Sequence, residues 1–326
     1  MSIMFVRELQ DGAQVDQVLV VREAETRTKR DGGQYLRLTL GDRTGSVPAN
    51  VWDGVAEVAP VACPGSVVHV TGRFQVSARY GAELKLRAVR AAEPGTFAEA
   101  DLLDGPPRSA DQMEADLRAL LATVQNPDLR ALLDTIFGAD SPTWAQYHAA
   151  PAAKHYHQAY RHGLLEHSLS VAQGVSAISA TFPGIDRDVA VAGALLHDIG
   201  KLEAYAIDGA GIDMTDAGKL QGEIPLGYYR VRRAIEELDG FDPHTAEAVL
   251  HIILSHHGSL EHGSPVVPCT REATLVHFLD NLGGRLGSFD RLEKELPSGE
   301  QWSRFDRAIG SGAYFAATAQ GEREAA

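Results

Sequence analysis

Four places along this 326-residue chain set histidine or aspartate where metal chemistry would need them. His167 follows Gly163-Leu164-Leu165-Glu166, and His197-Asp198 ends the apolar run Val191–Leu196 before continuing as Ile199-Gly200-Lys201. His256-His257-Gly258 ends Val249–Ser255, and Asp280 lies inside the largely apolar Leu275–Leu282. A single histidine on an apolar helix is more often a hydrogen-bonded core residue. Four ionisable sites at buried-looking positions are another matter, since each is costly unless paired or bound to a metal. On separate helices they can converge in a bundle core, where sites of His and carboxylate are built. His197-Asp198 offers one imidazole and one carboxylate at the same point, and the two carboxylate oxygens can bridge cations about 3.5–4 Å apart. Imidazole and carboxylate without thiolate favour Mn, Fe, Co, Ni or Zn over Mg. Such a centre brings the pKa of water towards ~7 and clamps the attacking and leaving oxygens of a phosphoryl group.

Rigid elements must position these groups. Apolar residues at i, i+3, i+4 spacing predict helices over 111–121, 127–136, 164–178, 189–196, 244–254 and 273–282. Before residue 93 the period changes to two. Leu36, Leu38 and Leu40 fall on one face, and Tyr35, Arg37 and Thr39 on the other. Further strands are predicted over 46–52, 67–76 and 82–91, with Gly41–Gly45 as a turn. Five or so short strands with Gly-rich turns suit a small barrel rather than a sandwich. Residues 93–109 (EPGTFAEADLLDGPPRS) read as a linker. The expected organisation is a β domain over 1–92, a linker over 93–110, a helical domain over 111–315 and a flexible tail over 316–326.

Composition removes several function classes. The two cysteines, Cys63 and Cys269, make neither a disulfide framework nor a Cys-based zinc site, so a reducing cytoplasm is expected. No run approaches the ~20 apolar residues that cross a bilayer, and MSIMFVRELQDG lacks the apolar stretch of a signal peptide. No membrane partner is expected. The net charge of −14 is uneven: residues 1–93 hold 12 Lys/Arg against 11 Asp/Glu, and the remainder 18 against 33. An acidic second part suits a region that collects divalent cations, and a nearly neutral first part can still present a basic face.

The succession H…LLHDIGK…SHHG…D resembles the HD superfamily of metal-dependent phosphohydrolases. PAAKHYHQAYRHGLLEHSLSVA, ALLHDIGKL, HIILSHHG, HGSP and LVHFLDNLGGRL, spread over about residues 111–315, are together similar to the YhaM family of 3′→5′ exoribonucleases, and GGQYLRLTLGDRTGSVPANVWD resembles that family's OB-fold domain. The resemblance implies a multidomain protein, a small all-β OB-fold barrel followed by an all-α HD-type helical domain. It implies His167, His197, Asp198 and Asp280 around one divalent metal. A second ion would use Asp198 as a bridge with His256 and His257. Lys201 would face the substrate phosphate, the alternative being a charge that complements a helix end. Many relatives read Gly-His-Ile where this chain has Gly222-Glu223-Ile224. Glu223 is therefore a candidate ligand of harder, anionic character, or else a surface acid. Relatives also tend to pair histidines where this chain reads His157-Gln158, which leaves His157 as a candidate for the rim of the site.

On the barrel, Tyr35, Arg37, Trp52, Arg73, Lys85 and Arg87 are expected to face outward, rings mixed with cations in the manner of single-strand platforms. The alternative is an ordinary solvated strand face. Arg230, in the cluster Tyr228–Arg233, would guide a phosphate backbone past the metals or lie on the exposed side of a helix. The expected function is metal-dependent hydrolysis of single-stranded RNA, and of single-stranded DNA as a second substrate, with the 3′→5′ direction implied by the resemblance alone. Manganese leads the candidate metals, with one or two ions, and a homo-oligomer is compatible with the sequence. The rival readings are an HD-type nucleotide or cyclic-dinucleotide phosphohydrolase and a non-catalytic single-strand-binding protein.

Overall fold

The computed structural model describes residues 4–29, 32–77, 81–102, 105–106, 108–154, 158–208, 211–296 and 300–316. They group into two compact units, one drawn from 1–104, 208–211 and 289–326, the other from 105–207 and 212–288.

The first unit holds β1 (Gln14–Thr28), β2 (Gln34–Asp42), β3 (Gly45–Val51), α1 (Val55–Val58), β4 (Val67–Ser77), β5 (Gly81–Ala91) and α2 (Glu99–Leu102). The strands close into a barrel in the order β1-β2-β3-β5-β4. Leu36, Leu38, Leu40, Val47, Ala49, Val51, Val68 and Val70 fill the interior, as the alternation predicts, and leave the opposite residues outside. Buried Asp42 holds the β2–β3 turn by accepting from the backbone of Thr44 (2.8 Å) and Gly45 (3.2 Å). The alternation does not locate β1, where Leu19, Val20 and Val21 are buried in succession and a bulge between Val21 and Glu23 resets the pattern. The stretch read as a linker contains α2.

The second unit holds α3 (Ala110–Leu121), α4 (Pro127–Phe137), α5 (Pro142–Ala149), α6 (Gly163–Ser179), α7 (Arg187–Leu196), α8 (Lys201–Ala204), α9 (Asp216–Gln221), α10 (Glu223–Glu236), α11 (Pro243–Ser255) and most of β6 (Tyr205–Asp208), β7 (Gly211–Met214) and α12 (Arg271–Glu295). One core of apolar residues, among them Leu133, Phe137, Tyr147, Leu164, Leu195 and Ile253, runs through it. Side-chain caps set where the site-bearing helices begin. Asp186 accepts from Asp188 N and Val189 N at the start of α7, and Asp242 from Thr245 N at the start of α11. The sequence reads this region as helical throughout, whereas the structure inserts the two-stranded β6–β7 sheet. Helix α12 runs well past the predicted 273–282, and from Phe289 onward the chain groups with the barrel, where Arg7 donates to Glu293 O at 2.6 Å. His157 and residues 317–326 lie outside the described residues. No helix among the described residues is long and apolar enough to cross a membrane.

Candidate metal centre

The predicted ligands arrive from separate helices. His167 is on α6, His197-Asp198 directly follows α7, His256-His257 directly follows α11, and Asp280 is on α12. Helix α7 packs against both α6 and α11, which brings the three histidine-bearing ends together. His167 Nε2 lies 3.0 Å from Asp280 Oδ1, 3.4 Å from Asp198 Oδ2 and 3.3 Å from His197 Nε2. His197 Nε2 is 3.2 Å from Asp198 Oδ2 and 3.7 Å from Asp280 Oδ1. His256 Nε2 reaches within 3.6 Å of the other Asp198 oxygen, Oδ1. Two overlapping sets, His167-His197-Asp198 and His197-His256-Asp280, have ligand atoms all within 4.8 Å of one another.

A second pair stands beside them, His257 Nε2 and Glu223 Oε1, 3.7 Å apart. Glu223 is the first residue of α10, and Gly200 lets α8 approach it. A Cβ at Gly200 would fall 1.9 Å from Glu223 O, so only glycine fits at this position. Lys201 donates to Asp198 Oδ2 at 2.6 Å. It is the first residue of the four-residue α8. Asp198 is what holds the ammonium.

The electrostatics follow from burial and proximity. Burial would raise the Asp198 carboxyl, but Lys201 and His197 override it and hold it well below the usual carboxylate range. Asp280 is likewise held low against burial by its bonds to His167 and His197. Burial pushes His197 down, yet Asp198 and Asp280 outweigh it and carry the imidazole up to about 10. Asp198 Oδ1 and His256 Nε2 are both buried and have no hydrogen-bond partner among the described residues. Orphaned buried atoms facing each other across 3.6 Å are costly. The Nδ1 atoms, in contrast, are engaged: His197 with Ala194 O (2.7 Å), His256 with Ile253 O (2.8 Å) and His257 with His262 O (2.9 Å). Imidazoles with Nδ1 bonded and Nε2 aimed inward, ionised carboxylates and two unpartnered atoms are what a divalent cation requires.

On the barrel, the strand register aligns Arg37 with Asn50, Asn50 with Lys85 and Lys85 with Arg73. Three predicted cations thus form one cross-strand row. Tyr35 and Trp52 stack with centroids 4.6 Å apart and planes 18° from parallel, and Trp52 is half exposed at 53%. The sequence reading missed Lys29, which donates to Trp52 O at 2.8 Å and lies 5.8 Å from the ring centroid. Arg87 is exposed one pleat along from Lys85.

The comparisons with known proteins divide at the same place. Residues 164–284, which hold every first-metal candidate, match the HD domain family, and residues 19–91 match the OB-fold nucleic acid binding domain. The chain is 31% identical over 291 residues to the 3′-5′ exoribonuclease YhaM of Geobacillus sp. (strain WCH70), covering 89% of this chain and 88% of that protein. It is 30% identical over 294 residues to 3′-5′ exoribonuclease YhaM of Bacillus subtilis (strain 168), covering 90% and 92%. The chain belongs to the YhaM family.

Membership in the YhaM family makes the fold expectation good: an OB-fold barrel and a helical HD domain. One predicted contact residue is committed elsewhere. Arg230 is half-buried and bonds Glu203 at 2.8 and 3.1 Å, while Arg232 and Arg233 pair with Glu236 and Glu237 one turn on. Consecutive residues of a helix point about 100° apart, so the sequence cluster Tyr228–Arg233 is dispersed around α10 rather than gathered on one face.

Proposed function

We infer that the protein is a metal-dependent 3′→5′ exonuclease that hydrolyses single-stranded RNA to nucleoside 5′-monophosphates. The observation that carries this reading is the pair of buried, unpartnered atoms, Asp198 Oδ1 and His256 Nε2, within a His/Asp cluster of a YhaM-family chain. His167, His197, Asp198 and Asp280 are assigned to one divalent cation, and Asp198, His256, His257 and Glu223 to a second. A cation held there supplies Lewis-acid charge to the phosphoryl group and lowers the pKa of the attacking water. The hard, anionic Glu223 supports manganese over softer metals at the second position.

The protein's own groups divide the remaining work. Lys201 turns from Asp198 to a non-bridging phosphate oxygen, where its charge counters the negative charge growing in the transition state. The row Arg37, Lys85 and Arg73 tracks the backbone of the strand, and the Tyr35–Trp52 pair offers a ring surface to a base. Water attacks phosphorus, the P–O3′ bond breaks, and the shortened strand keeps a 3′-hydroxyl. The two exposed, unpaired cysteines suit the cytoplasm.

Purified protein with Mn²⁺ and 5′-labelled single-stranded RNA should give a ladder that shortens from the 3′ end. Cleavage confined to free or cyclic nucleotides would replace this reading with a small-molecule phosphohydrolase, and binding without turnover would replace it with a strand-binding protein.

Two predictions arise from the electrostatics. With no cation bound, His197 is charged at neutral pH, so metal must displace its proton. Apparent Mn²⁺ affinity should rise about tenfold per pH unit between pH 6 and 8, and calorimetric heats should vary with buffer ionisation enthalpy; a flat profile would show that no proton is displaced. Lys201→Met should lower kcat about a hundredfold or more while leaving Mn²⁺ affinity no weaker. A matching loss of affinity would put Lys201 in the support of the cradle instead.

A further inference from the structure

His167 is held unlike the other histidines of the cradle. His197 and His256 stand at helix C-termini, where the carbonyls of the last turn have no intrahelical donor. Each ring turns back onto the carbonyl three residues earlier, Ala194 O or Ile253 O. His167 is the fifth residue of α6, where the carbonyls three and four residues earlier belong to the helix's own ladder. Its Nδ1 instead meets a side chain, Gln158 Oε1, at 3.1 Å.

Gln158 adopts φ 55°, a left-handed conformation that few residues other than glycine occupy. Its surroundings impose it. Gln158 O accepts from Ala152 N at 3.1 Å, and Gly163, the first residue of α6, packs so closely on the same carbonyl that a Cβ there would lie 2.0 Å from it. Backbone strain held in place by neighbours gathers at functional sites, and of the two non-glycine residues with positive φ among those described, Gln158 and His162, it is Gln158 whose side chain meets a ligand histidine.

We propose that Gln158 is the positioning residue of His167. Its amide oxygen accepts the Nδ1 proton and so aims Nε2, the atom left for a cation to bind, at Asp198 and Asp280. The opposite amide orientation would force the proton onto Nε2, where a cation must bind. The inference rests on the metal-dependent reading above and concerns a residue that does not itself touch metal or substrate. Partners of this kind sharpen the orientation and basicity of a metal-bound imidazole.

Two substitutions separate the side-chain contact from the turn. Asparagine tolerates positive φ better than most residues, so Gln158→Asn keeps the turn but leaves the amide one methylene short of His167. Gln158→Glu keeps both reach and acceptor. Mn²⁺ is titrated calorimetrically into the full-length, metal-free proteins, and their thermal midpoints are compared. Gln158→Asn should weaken the tighter site about ten- to a hundredfold without lowering the metal-free midpoint, and Gln158→Glu should bind as tightly as the unsubstituted protein. In ¹⁵N-histidine spectra of the metal-free proteins, the Nδ1–H form of His167 should be lost in Gln158→Asn alone. Unchanged affinity in Gln158→Asn overturns the proposal. So does equal weakening in both variants together with lower midpoints, which would make Gln158 a structural turn residue. Absence of Mn²⁺ binding to the unsubstituted protein would bring down the metal-dependent reading and this inference with it.

Discussion

Asp198→Ala is expected to lower turnover on single-stranded RNA by at least about a thousandfold, equivalent to about 4 kcal/mol of transition-state stabilisation, and to abolish tight Mn²⁺ binding. Asp198 is the hub of the centre. One oxygen lies 3.4 Å from His167, 3.2 Å from His197 and 2.6 Å from Lys201, and the other 3.6 Å from His256. Its two oxygens thus face different histidines of the cluster, His256 on one side and His167 and His197 on the other. The same change strips the buried Lys201 ammonium of the carboxylate that holds it charged. Breaking a buried pair costs about 3–5 kcal/mol, a large share of a typical stability of about 5–15 kcal/mol. Activity should therefore be measured well below the melting midpoint, with circular dichroism to show that the variant is folded. Asp198→Asn keeps the volume but not the charge, and should lose metal as completely. An Asp198→Asn protein that retains both metal and turnover would remove Asp198 from the bridging role.

The second large effect belongs to the barrel. Stacking contributes about 1–3 kcal/mol per base, so Trp52→Ala should weaken single-stranded RNA binding by about five- to a hundredfold, and a double change with Tyr35→Ala further. KM for long strands should rise while kcat and the hydrolysis of dinucleotides stay unchanged, because neither ring belongs to the HD domain. Each phosphate neutralised on a single strand adds about −0.7 to the slope of log K against log salt. The row Arg37-Lys85-Arg73 therefore implies a slope near about −2, and Lys85→Ala should flatten it by about 0.7. These point changes are cleaner than removing residues 1–92. Residues 289–316 group with the barrel, so truncation would leave part of that unit without its partner. Unchanged RNA affinity in the double variant would return this face to an ordinary solvated surface.

The parts of the fold that the sequence made legible are those where one simple period governs a whole element. Leu36, Leu38 and Leu40 alternate into the barrel with nothing to interrupt them. The clustering of His167, His197, Asp198 and Asp280 was legible for a related reason, since they are ionisable groups on otherwise apolar stretches. Strand β1 was hidden by its bulge. The C-terminal half of α12 was hidden because its exposed apolar residues and glycines break the helical stripe; Leu282 and Leu286 are 48% and 54% exposed. The pairing of Arg230 with Glu203 was not legible, because the two lie on different helices, α10 and α8. Gln158 carried no periodic signal at all. Its role depends on a left-handed turn and on a histidine nine residues later, and only coordinates bring those together.

The central claim is that the His/Asp cradle of the HD domain holds the cation that drives hydrolysis. Anomalous diffraction at the manganese edge, from crystals of the full-length protein grown with Mn²⁺, tests it most directly. A peak is expected among His167, His197, Asp198 and Asp280, with any second peak between Asp198, His256, His257 and Glu223. Manganese bound only elsewhere on the protein, or no peak in protein that degrades RNA under the same conditions, would contradict it.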